Sequence, residues 1–95
     1  MQKIIGSLQE VARAVKNSTD LGKAEETIKK ARALIKDSKA GKSGEEVLLL
    51  EKLDGELGIW QAKLSVLLKE PAGRQGMAKH ASYWAEQLMK VEQKG

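Results

Sequence analysis

The chain has 95 residues, 41% of them hydrophobic and 32% charged, with a formal net charge of +4. That length suits a single helical domain over residues 1–95 with one modest core, and the apolar fraction separates it from a disordered tail. With no cysteine, disulfides, thiolate metal sites and thiol catalysis are excluded, and a reducing cytoplasm is the expected location.

The first helix is expected over residues 2–16, where Ile4, Leu8, Val11 and Val15 recur on one face with Ile5 and Ala12 beside them. This opening is amphipathic from the start, so no secretion signal is expected. Asn17, Ser18, Thr19 and Asp20 then form a cluster of capping residues, which stops one helix and starts the next. A second helix over 20–39 carries Leu21, Ala24, Ile28, Ala31, Leu34 and Ile35, a thin apolar face because two of the six are Ala. The stretch from Lys39 to Gly44 is the clearest loop in the chain.

Ser43 stands three residues before Glu46, the spacing of a capping box, and places the start of a third helix at about residue 44. Leu50, Leu53, Leu57, Trp60, Leu64 and Leu67 follow with spacings of 3, 4, 3, 4 and 3, an unbroken helical seam that predicts one long helix over 44–69. Asp54-Gly55 is a turn dipeptide, and Gly55 and Gly58 together cost about 2 kcal/mol of helix propensity relative to Ala, so a break here is the competing expectation. The seam passes through both glycines without losing phase, which favours the continuous helix. Pro71 ends it, and Met77, Ala81, Trp84, Leu88 and Val91 define a fourth helix over 72–93. Four helices with short connections predict a small antiparallel up-and-down all-α bundle, the third helix the longest. The longest apolar run, residues 47–50, is far short of the roughly 20 residues of a membrane span, so no membrane partner is expected.

The third helix has a second apolar strip, Leu48, Gly55, Ile59, Ala62 and Val66, set apart from the seam by charged residues. In so short a chain the first expectation is that its own bundle covers the strip. The alternative is self-association or another protein, which makes Leu48, Ile59, Ala62 and Val66 the candidate partner interface and a homodimer the simplest product.

Chemistry has few candidates. His80, Tyr83, Trp84 and Gln87 share one flank of the fourth helix and would form the rim of any ligand site. An acid/base role is disfavoured because no carboxylate stands at a helical spacing that would orient His80; Glu86 faces elsewhere. The Glu-x-x-His pattern of di-metal bundles fails, with Met77 at the Glu position, so neither metal nor cofactor is expected. Gly41-Lys42-Ser43 fails as a phosphate-binding loop, because Lys36 occupies the place of the required earlier glycine and no strand precedes it.

Charge is unevenly spread. Residues 1–44 carry ten basic and five acidic side chains, whereas residues 45–70 carry three and six. Lys29, Arg32, Lys36 and Lys39 form a stripe that Lys42 extends into the loop, a candidate contact for an anion or nucleic acid. The stripe is short and has no aromatic platform beside it, so nucleic acid ranks below protein as the expected partner. The sequence thus predicts a non-enzymatic helical module that works through protein contacts.

Overall fold

The computed structural model describes residues 2–17, 20–40 and 44–94, and within them the chain forms four helices: α1 (Gln2–Asn17), α2 (Leu21–Lys39), α3 (Glu45–Leu67) and α4 (Pro71–Lys94). Each helix packs against its neighbours in a ring, α1 on α2, α2 on α3, α3 on α4 and α4 on α1, while the diagonal pairs do not pack directly. The result is an antiparallel up-and-down bundle, 38 Å along its longest axis and 20 by 17 Å across. Gln2 at the start of α1 donates from Nε2 to both carboxylate oxygens of Glu92 near the end of α4, at 3.1 and 3.0 Å, which ties the ends of the ring together.

Helix boundaries follow from local chemistry. Asp20 is the N-cap of α2, its carboxylate accepting from the Lys23 amide at 3.1 Å. The expected cap residues Ser18 and Thr19, and the Ser43 arm of the capping box, lie outside the described residues. Helix α3 starts one residue later than expected, with Gly44 at its N-cap at φ 75° and ψ −139° and no side-chain cap. That backbone geometry is open to glycine and strained for any L-residue. Glu45 and Glu46 in the first turn favour the positive end of the helix dipole.

The α3–α4 corner is tighter than the sequence suggests. Helix α3 stops at Leu67 rather than residue 69, because the Lys69 amide turns back to the Val66 carbonyl at 3.2 Å. Pro71 opens α4 directly, since its missing N–H lies where the helix needs no donor, and the first bond runs from the Arg74 amide to the Glu70 carbonyl at 3.0 Å. Arg74 also donates from Nη1 to the Leu68 carbonyl at 2.6 Å, satisfying a group freed at the end of α3. A side chain at Gly73 would strike the backbone of Leu67, so glycine lets the two helix ends approach.

The core is aliphatic. Ile4, Leu8, Val11 and Val15 of α1 meet Ala24, Ile28, Ala31 and Ile35 of α2, and α3 contributes Leu50, Leu53, Leu57, Trp60 and Leu64. From α4 come Met77, Ala78, Ala81, Ala85 and Leu88. Helix α3 is continuous through Gly55 and Gly58, as its seam requires, but with its early stop at Leu67 it has 23 residues, and α4, opened by Pro71, is the longest helix at 24. Among the expected core positions Leu21 is exposed, and Leu34, Leu67, Trp84 and Val91 are only partly buried, Leu68 taking the buried place at the end of α3. Helices α1 and α4 form the most extensively packed pair, with Ala78, Ala81 and Ala85 of α4 all buried, while α3 and α4 pack least and carry Trp60 and Trp84.

Leu57 is wholly buried midway along the seam, so Leu57→Ala is expected to destabilise the fold by about 2 to 5 kcal/mol, a large part of a small domain's stability. Chemical denaturation followed by circular dichroism measures this directly, and an unchanged midpoint contradicts the packing.

Candidate functional site

Burying the seam determines what α3 presents elsewhere. At about 100° per residue the second strip lies on the opposite side of the helix. Leu48, Ile59 and Val66 are 59%, 56% and 64% exposed, and Ala62 between them is also exposed. The expectation that the bundle covers this strip is therefore corrected: α2 and α4 pack against the flanks and inner face of α3, and no helix crosses its outer face. Single exposed apolar side chains are ordinary, but several on one helical face form a patch of the kind that meets a partner.

The basic stripe of α2 comes out differently. Arg32 turns inward across the α2–α3 groove, donating from Nε to Asp54 Oδ1 at 2.9 Å and from Nη1 to Gln61 Oε1 at 2.9 Å. The bond to Asp54, helped by the carboxylate's charge, raises the guanidinium pKa above its ordinary value against the opposing effect of burial. Lys29 pairs with Glu25 at 3.2 Å on its own helix. Lys36 and Lys39 line the same open groove of about 390 Å³, whose α3 wall is Asp54 and Gln61 and adds no cation. Lys42 lies outside the described residues. Asp54 of α3 is the partner that draws Arg32 out of the stripe.

A second cationic groove, of about 750 Å³, was not anticipated. It runs between α1 and α4, where Arg13, Lys16 and Lys79 stand among Gln9, Gln75 and Ser82 with no acidic side chain in its lining. Arg13 and Lys16 stand three residues apart on α1, but Lys79 lies more than sixty residues further along the chain, so only the antiparallel pairing of α1 with α4 brings it beside them.

The aromatic flank of α4 also acquires a partner that helical spacing could not reveal. Glu56 of α3 accepts from His80 Nδ1 at 2.8 Å and from Trp84 Nε1 at 2.6 Å. A carboxylate only accepts, so the imidazole carries its proton on Nδ1. The His80 side chain is 63% exposed, and its ring stands edge-on to Trp60 at a centroid distance of 6.5 Å. Tyr83 stacks on Trp84 at 5.9 Å instead of facing the imidazole. An oriented imidazole is one part of an acid/base site, but the phenol is committed to stacking, and the cluster serves to clasp α3 to α4. Gln87 is half-buried on the same helix, one turn beyond Tyr83.

No grouping of His, Asp or Glu able to hold a metal ion occurs among the described residues, and no described helix is long and apolar enough to cross a membrane. Comparison with protein-family models, with curated proteins and with solved structures gives no match.

Glu56→Ala strands the half-buried indole N–H and is expected to destabilise the fold by about 1 to 2 kcal/mol, whereas His80→Ala, which removes an exposed donor, should have a clearly smaller effect. Denaturation midpoints of the two variants test this order.

Proposed function

We propose that this protein is a non-enzymatic interaction module of the cytoplasm whose docking surface is the outward face of α3. The observation that carries the reading is the exposure of Leu48, Ile59 and Val66 together on one face, with Ala62 between them. A folded chain that keeps an apolar strip on the outer face of α3 gains nothing from it in water; the gain comes when another surface covers it. The strip is ready for a helix, since its positions recur at helical intervals and its neighbours are polar.

Because the strip takes no part in the core, Ile59→Glu should leave the thermal melt within about 0.5 kcal/mol of the wild type, as expected for an exposed site. A benzophenone amino acid in place of Ile59 should give discrete protein adducts on irradiation in the cells that make the protein, and the same group in place of exposed Glu86 should not. Absence of adducts at position 59, or loss of the fold in Ile59→Glu, contradicts the proposal.

One observation favours a second reading, in which the protein also touches polyanions. The α1–α4 groove is lined by cations without a counter-charge, unlike the α2–α3 groove where Asp54 stands opposite. Binding to DNA or RNA by three cations would be weak, independent of sequence and steeply reduced by salt. Reversing Arg13 and Lys79 to Glu should weaken it more than reversing Lys29 and Lys36, as measured by fluorescence anisotropy at low salt; the opposite order removes this reading.

A further inference from the structure

We infer that the partner of the α3 face is a second copy of this chain, paired antiparallel through α3 about a two-fold axis passing opposite Leu57. The inference rests on the docking reading above and names its occupant. Leu48, Lys52, Gly55, Ile59, Ala62 and Val66 are all exposed and follow one another at spacings of 4, 3, 4, 3 and 4, the period of a helix–helix seam.

These six positions are arranged symmetrically about residue 57. An antiparallel pair therefore sets Leu48 level with Val66 of the other copy, Lys52 with Ala62, and Ile59 with Gly55. Two of the three layers match a large side chain with a small one, which lets the backbones approach while the Lys52 stem lies over a methyl group and its ammonium reaches water. Gly55 acquires a reason it lacks within the bundle. A Cβ there would meet nothing within 4 Å, so the glycine weakens α3 without serving any contact inside the chain, yet it leaves room for an isoleucine.

Charge selects the direction. The first part of α3 carries Glu45, Glu46 and Glu51, while Lys63 and the following turn residue Lys69 lie at its other end. Antiparallel pairing sets the acidic end of each copy at the height of the other's Lys63, with Glu51 and Lys63 both exposed on opposite flanks of the contact, so the attraction acts along the pair and not as a direct ion pair. Parallel pairing would set Lys52 against itself and acid against acid. Glu56, nearest the axis, is held toward α4 by His80 and Trp84 and does not confront its own copy. Each copy uses one patch once, which is the closed, isologous form of association.

A single helical stripe is a small interface, so a dissociation constant on the order of 10 to 100 µM is expected. Sedimentation of the full chain should show a monomer–dimer equilibrium in that range, weakened by salt and shifted at least tenfold by Ile59→Glu with the helical content kept. Because the chain lacks cysteine, single-cysteine variants can report direction. Leu48→Cys mixed with Val66→Cys should oxidise chiefly to the mixed disulfide, since each residue lies about 27 Å along the pair from its own copy at 1.5 Å per residue. Self-linked Leu48→Cys forming as readily as the mixed product, or a wild type that stays monomeric at roughly ten times that concentration, overturns the inference. In the second case, adducts from position 59 whose mass differs from twice that of the chain would still uphold the docking face, and an absence of adducts would remove both.

Discussion

The need to bury one line of side chains on α3 governs most of what this molecule presents to its surroundings. Once Leu50, Leu53, Leu57, Trp60 and Leu64 turn to the core, the rotation of α3 about its own axis is fixed, and at 100° per residue every other position on it has an assigned direction. Asp54 and Gln61 fall on the α2 side, where they receive Arg32. Glu56 falls on the α4 side, where it receives His80 and Trp84. Leu48, Ile59 and Val66 are left outside. The polar clasps and the apolar face thus arise from the same geometric constraint.

The two clasps do different physical work. Arg32 and Asp54 are each about a third exposed, at 38% and 29%, so solvent screens their attraction and the pair mainly sets the register of α2 against α3. The bond from Trp84 to Glu56 matters through the consequence of its loss: a half-buried indole N–H deprived of its acceptor is costly, although the bond itself adds little net stability. Both clasps cross a groove between neighbouring helices, where polar geometry adds specificity of alignment to the shared apolar core.

Much of the fold is legible in the sequence because periodicity speaks directly about burial. The 3-and-4 rhythm of α3 was strong enough to outweigh an Asp-Gly dipeptide, and the helix does run through it. Leu21 misleads because it sits in the first turn of α2, where helical phase alone does not say whether a neighbouring helix reaches that far. The start of α4 at Pro71 is readable only from the rule that proline suits a first turn, against its reputation as a breaker. The functional surfaces are less legible. Glu56 stands 24 residues from His80, and no local pattern links them; their meeting follows from the antiparallel register of two whole helices. The outer strip could be seen in the sequence, but its exposure could not, since only the placement of α2 and α4 shows that nothing crosses it.

The two tryptophans of the chain both belong to the α3–α4 boundary, Trp60 nearly enclosed and Trp84 half-buried with its indole N–H on Glu56. Intrinsic fluorescence of this protein is therefore a local instrument: its emission reports the parting of α3 from α4 and is blind to the α1–α2 side. Backbone ellipticity, by contrast, sums over all four helices. If the bundle melts as a unit the two signals will superimpose, and if α4 peels away first the tryptophans will redden while most of the helix remains.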